Sequence, residues 1–346
     1  MRKATMTAMT AIALALLASA ETRAEDSVAD FYRGKQIQLK IGFPPGSGYD
    51  LAGRLVSRHI GRHIPGNPTI VIQNIVGAGS LLLANQMFKT GARDGTALAL
   101  VSNAVAATPL FSPTTAQFDP RKFNWIGSNA PEIDVVVLSQ AASAKTVEDL
   151  KRQPVVVGAT GLGGAVYDLP LISNVLLGAR FKIVAGYSGT AEIFLATQRG
   201  EVQGMAGIGW SSVKANQLAD VKAGRLNVVA QFGLKKHPDL PDVPLFDLPA
   251  NEVDAQALRL IYARMEYGRP FLMPPDTPAD RVDAIRTAFL SAMKDPALLS
   301  EAQRAEFDIS PVSGQELEAL THLVMNTPPA AVARLRDLLE PASPTK

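Results

Sequence analysis

The chain of 346 residues contains no cysteine. That absence removes disulfide frameworks, thiolate metal sites, iron–sulfur clusters and cysteine nucleophiles together. Charge is also scarce: 19% of residues are charged, and the formal balance is only +2. No basic stripe appears, and runs such as Lys235-Lys236 stop at two residues. This argues against nucleic acid as a partner, because duplex binding needs clustered phosphate-neutralising charge. Histidine is limited to His59, His63, His237 and His322. His59 and His63 have the i, i+4 spacing of a helical metal pair, but Ile60 follows His59, so no H-E-x-x-H motif exists. With Arg58 and Arg62 beside them, these histidines read as a solvated basic helix end, and His237, before Pro238, reads as a surface turn. There is no G-x-S-x-G elbow and no G-x-x-x-x-G-K-[ST] phosphate loop. No catalytic residue, metal ligand or cofactor site is therefore assigned.

What the chain does have is apolar mass: 47% of residues are hydrophobic, which predicts a packed globule, and the length predicts two domains. Residues 1–24 read as a secretory signal. Arg2 and Lys3 precede an apolar run over 10–20 that is too short to span a bilayer, and Ala18-Ser19-Ala20 and Thr22-Arg23-Ala24 offer cleavage sites. Removal of this segment leaves a periplasmic protein with 31 basic and 31 acidic residues.

Apolar strand patterns occur at Ile37–Phe43, Thr69–Gln73, Thr96–Val101, Ile133–Leu138, Val155–Gly158, Phe181–Ala185 and Leu226–Phe232. Helical patterns occur at Tyr49–His63, Ser80–Thr90, Val147–Arg152, Ala165–Leu177, Ala191–Arg199, Ser211–Ala223, Asp280–Lys294 and Gly314–Leu339. The alternation predicts an α/β fold with mostly parallel sheets and helices on both faces. Proline-rich stretches at Phe111–Lys122 and His237–Pro249 read as connectors. They divide the chain into a discontinuous domain, 25–122 plus 234–346, and an inserted domain, 123–233. Two consecutive domains split near Pro113 is the alternative.

Four times a buried strand runs into a glycine-containing loop and then a helix, at 41–50, 71–80, 157–164 and 184–190. In an open α/β sheet, ligands bind at the carboxyl ends of the strands. Unpaired helix-terminal N–H groups there carry partial positive charge, and glycine lets backbone approach a ligand. Any one such loop is more often a mere tight connection; four in two segments point to a cleft for a small anion. The spacing Gly158-x-x-Gly161-x-Gly163-Gly164 is not a dinucleotide fingerprint, and no acid ends the next strand at Ala185-Gly186-Tyr187. A carboxylate fits better than a nucleotide phosphate. Tyr187 and Trp210, at strand-to-helix junctions, either wall this cleft or belong to the core.

The loops carry a family resemblance. Phe43-Pro44-Pro45-Gly46-Ser47-Gly48-Tyr49-Asp50 resembles the "PFPPGGxxD" opening of Bug-type periplasmic receptors of tripartite tricarboxylate transporters. Asn74–Ser80 is similar to their "NxPGAGG", Arg93-Asp94-Gly95-Thr96 to "PDGYT", Gly186-Tyr187-Ser188-Gly189 to "YKG", and Leu240-Pro241-Asp242-Val243-Pro244 to "LPDVP". The order holds over essentially the whole mature chain. The resemblance implies a two-domain flytrap delivering an organic acid to a membrane permease; a monomer is expected. It also implies ligand contacts from Pro45, Gly46, Ser47, Gly48, Gly77, Ala78, Gly79, Ser80, Ser102, Asn103, Thr160, Gly161, Leu162, Gly163, Gly164, Tyr187, Ser188 and Gly189.

There are departures. Ser47 replaces a glycine, Ser188 replaces a lysine, and Gln203–Ser212 lacks both acids of the family's "DMMFDNLPS". Loss of those acids argues against an amino-acid ligand and leaves room near Trp210 for an aliphatic or aromatic tail. An exported enzyme acting on a small acid, and a receptor reporting to a membrane sensor, remain the alternatives. The sequence leaves open whether Arg54, Arg264 or Arg269 reaches the cleft.

Overall fold

The structure is a computed structural model and describes residues 28–160, 165–305 and 307–339. The signal segment 1–24 and Gly161–Gly164 lie outside the described residues. Two sheets organise the chain. The first joins β1 (Gln36–Ile41), β2 (Thr69–Asn74), β3 (Ala97–Leu100), β4 (Asn124–Ser128), β10 (Pro270–Met273) and β11 (Val312–Ser313) in the order β11-β4-β10-β3-β1-β2. The second joins β5 (Asp134–Ser139), β6 (Val155–Ala159), β7 (Phe181–Ala185), β8 (Gly204–Gly209) and β9 (Leu226–Phe232) in the order β7-β6-β8-β5-β9. The chain thus leaves the first sheet after β4, completes the second, and returns through helix Glu252–Tyr267 to β10.

The sheets are mixed, not mostly parallel. β1 pairs in parallel with β2 and β3, and β6 with β7 and β8, but β10, β11, β5 and β9 run antiparallel to their neighbours. Of these, β5, β9 and β10 flank the passages between the sheets. Strand β4 lies within the segment 123–233 expected to form the inserted domain, yet it hydrogen-bonds to β10 and β11 of the first sheet.

Alternation within the strands sorts the side chains into three cores. Ile37, Leu39, Ile41, Leu98 and Leu100 pack with Val282, Ile285 and Phe289 on one face of the first sheet. Val135, Val137, Ile193, Met205 and Trp210 cluster on one face of the second. The third core is continuous between the sheets: Ala97, Ala99, Trp125, Val136 and Leu138 join Leu258, Tyr262, Val332 and Leu335.

Proline splits the stretch expected as one helix over Gly314–Leu339 into Gly314–Met325 and Pro329–Leu339, since a ring at Pro328 and again at Pro329 removes two backbone donors. His59 is buried against Glu301 at 2.7 Å and His63 meets Asp295 at 2.8 Å, with Arg58 and Arg62 joining the same two acids. The basic helix end is therefore an ion-paired seam with helix Pro296–Arg304, not a solvated face. His237 is likewise partly buried, and burial lowers its pKa. No helix among the described residues is long and apolar enough to cross a membrane.

Candidate functional site

Helix Gly48–Ile60 starts where Ser47 accepts a hydrogen bond from Asp50 N–H at 3.2 Å. Asp50 is the hub of the loop before it. One carboxylate oxygen accepts from Gly46 N–H and Arg54 Nε, both at 2.8 Å; the other accepts from Asn74 Nδ2 at 2.8 Å. Asn74 Nδ2 also lies 2.8 Å from the Phe43 carbonyl, so the first two glycine loops share one polar anchor. Burial pushes the Asp50 pKa up, but bonds from Arg54, Asn74 and Gly46 outweigh it and hold the group at about 2.

The second loop is set by backbone geometry. Ala78, Gly79 and Ser80 all have positive φ, at 45°, 59° and 76°. Buried Ser80 accepts from Ser102 N–H at 3.1 Å, and any side chain at Gly42 meets it, with a Cβ only 2.5 Å from Ser80 Oγ. Tyr49 closes the group. Its ring stacks on Phe43 at 4.0 Å, and its hydroxyl accepts from Asn103 N–H and donates to the Gly268 carbonyl, both at 3.2 Å. Burial raises its pKa.

Loops of both sheets meet at a cavity of about 440 Å³. Tyr49 and Asn103 border it from the first sheet; Thr160, Gly189, Thr190, Ser211 and Ser212 from the second. Glu132, Asp134, Gly268 and Arg269 complete it from the passages between the sheets. Those passages run side by side: Glu132 N–H donates to the Met265 carbonyl at 2.9 Å, and Arg269 N–H to Ser128 Oγ at 3.0 Å. Arg269 lies over the rings of Tyr49 and Phe307 at 5.9 and 5.2 Å, and its buried Nε has no hydrogen-bond partner among the described residues. Such a fork suits a carboxylate. Among the described residues no cluster of three metal-ligating side chains occurs.

The model of the tripartite tricarboxylate transporter family receptor matches residues 56–328. The chain belongs to that receptor family. Members bind solutes and are not enzymes. A curated relative, the UPF0065 protein in the tcbD-tcbE intergenic region of Pseudomonas sp. strain P51, is 25% identical over 242 residues, 67% of this receptor and 68% of the relative. A solute-binding protein of the same family from Polaromonas, solved without ligand, matches at TM-score 0.68 and 19% identity, covering 89% of this receptor and 99% of that chain. A Rhodopseudomonas palustris protein solved with adipate matches at TM-score 0.56 and 17% identity, covering 88% and 96%. These likenesses establish the shared two-sheet α/β fold.

Of the residues expected at the ligand, the receptor places Asn103, Thr160 and Gly189 on the cavity. Pro45, Gly46, Ser47, Gly48, Gly77, Ala78, Gly79, Ser80, Ser102, Tyr187 and Ser188 stand in the surrounding loops without bordering it. Several loop donors are already engaged. Gly46 N–H serves Asp50, while Ser188 N–H and Oγ–H serve Glu192 at 2.7 and 2.8 Å. Trp210 is 4% exposed within the second sheet's core, and its indole N–H donates to Asp239 at 3.2 Å. The strand-to-helix turn points the ring inward, so Trp210 offers no wall for a ligand tail. Arg54 is engaged by Asp50, Arg264 does not border the cavity, and Arg269 does.

The sequence reading missed Tyr49, Glu132, Asp134 and Ser211, and named Arg269 only as one of three open candidates. Arg269 had one local signal, a lone cation beside a glycine and a short apolar strand; the pairing of the two passages that brings it to Glu132 had none.

Proposed function

We propose that the protein is a periplasmic receptor that captures a small organic acid in the cavity between its sheets and delivers it to a membrane permease. The observation that carries this reading is the Arg269 fork, with a buried unpartnered Nε, beside loops contributed by both sheets. The guanidinium takes the carboxylate, and Asn103, Thr160 and Gly189 frame the remainder of the solute. Family membership and the adipate held by the Rhodopseudomonas palustris protein support a carboxylate. The charged side chain thereby takes a share of the recognition that the glycine-loop amides alone were expected to carry.

The two sheets act as two lobes, each closing on the solute, because only the closed arrangement lets both loop sets touch it. The lobes follow the sheets, with the passage out of the first after Ser128 and the return through helix Glu252–Tyr267. The protein acts as a monomer, exported by its N-terminal segment. Isothermal titration against a panel of mono-, di- and tricarboxylates, combined with small-angle scattering, tests the reading. A saturating acid that reduces the radius of gyration supports it; no binding by any acid, or an unchanged radius at saturation, refutes it.

A further inference from the structure

The cavity holds two carboxyls of its own. Glu132 and Asp134 alternate with buried Ile133 and Val135, so both side chains leave the same face of the chain, away from the second-sheet core. Glu132 is saturated. Its two oxygens accept from Ser211 N–H at 3.2 Å and Ser211 Oγ–H at 2.6 Å, and Arg269 Nη2 lies 3.6 Å away. The start of helix Trp210–Lys222 favours an anion, and the protein's own carboxylate already occupies it. Asp134 differs. Its side chain has no hydrogen bond or ion pair among the described residues. The groups facing it are charges and dipoles at a distance: Glu132, two residues before it, and Arg264 and the buried Tyr262 hydroxyl, unpartnered among the described residues, on helix Glu252–Tyr267. Burial first, then Glu132, pushes its pKa up to about 7 against the opposing pull of Arg264.

We propose that the solute carries an amino group besides its carboxylate, with Asp134 as the counter-charge of the ammonium and Arg269 as that of the carboxylate. The proposal rests on the receptor reading above. A carboxyl that opens on the cavity with no side-chain partner among the described residues, beside a second carboxylate, is a ready acceptor for a cation with N–H donors. A plain dicarboxylate does the opposite: its second anionic end meets Glu132 and Asp134, and the helix terminus that suits it is taken. Discrimination therefore comes from repulsion as much as attraction. The acids missing from Gln203–Ser212, which had argued against an amino-acid solute, are replaced by acids from the passage between the sheets.

Isothermal titration at pH 7.5 with matched pairs decides the matter: aspartate against succinate, glutamate against glutarate, 2-aminoadipate against adipate. In at least one pair the amino member should bind about tenfold or more tightly than its partner, and Asp134→Asn should remove most of that advantage. Desamino acids that bind as tightly as their amino counterparts overturn the proposal while leaving the receptor reading intact, as does an amino preference untouched by Asp134→Asn. Binding of neither member of any pair, nor of any other acid, overturns the receptor reading itself. Should Asp134→Asn fail to fold, the wild-type pair comparison is sufficient.

Discussion

Asp50 ties the two first-sheet loops together, and its removal has a calculable effect. Its pKa falls from 3.8 to about 2. At about 1.4 kcal/mol per unit, that shift represents ~2.5 kcal/mol of folding stability at neutral pH, and screening by water at the loop mouth reduces it to ~1–2 kcal/mol. The sign follows from linkage. A carboxyl with a depressed folded pKa contributes fully above its unfolded value near 3.8, and the contribution disappears as pH falls through about 2. Asp50→Asn keeps the shape but loses the charge, and leaves Arg54 without its acid. The variant should lose ~1–2 kcal/mol in urea unfolding at pH 7. The difference from wild type should shrink steadily between pH 4 and pH 2. Because an amide offers one acceptor oxygen where the carboxylate offers two, either Gly46 N–H or Asn74 Nδ2 loses its acceptor, the loops loosen and solute affinity should fall about tenfold as well. A difference that stays constant across the acid range, or an unchanged midpoint at pH 7, would falsify the view that Asp50 works through its charge.

Other variants separate cleft from core. Arg269→Ala should weaken solute binding ~10–100-fold, with Arg269→Lys recovering only part, because ammonium lacks the planar fork; titration showing wild-type affinity in Arg269→Ala removes the guanidinium from recognition. Trp210→Phe should cost about 1 kcal/mol of stability through the lost bond to Asp239 and leave affinity within about twofold; a large affinity loss would return Trp210 to the cleft. Asp134 has a raised folded pKa, so the native state keeps its proton where the unfolded chain has released it, and its contribution declines as pH rises from about 4 to 7. Asp134→Asn in ligand-free protein should therefore gain on wild type over that interval, by ~1–3 kcal/mol at pH 8, and equal urea midpoints at pH 4.5 and pH 8 would count against it. Lys214 joins helix Trp210–Lys222 to Asp239 at 2.8 Å and to Asp308, so Lys214→Met should cost ~1–3 kcal/mol in thermal unfolding, and no change would show the triad to be incidental.

The elements that the sequence revealed are those whose signal is local. Leu226–Phe232 and Phe181–Ala185 read as strands from near-continuous apolar runs, and Val147–Arg152 read as a helix, which the structure opens on a Thr146 capping box. Strand β8 showed only as the junction expected before Trp210, because Gly204, Gly207 and Gly209 dilute its apolar pattern. Gly204 and Gly207 are required by close approach: a Cβ at Gly204 would lie 2.1 Å from the Val137 carbonyl, and one at Gly207 2.4 Å from that of Ala165. Strand β10 is four residues beginning with Pro270, too short for periodicity to register.

Glycine loops at strand ends, the alternation of strand and helix, and the absence of contiguous nucleophile-elbow, phosphate-loop and H-E-x-x-H motifs are properties of contiguous residues, and the sequence by itself determined them. Sheet pairing decided the rest. Whether Arg269 meets Glu132, whether Asp134 opens on the cavity, and whether Trp210 turns inward depend on residues far apart in the chain being fastened side by side. No local period encodes that, because the energies that choose it arise only when distant surfaces lose their water together.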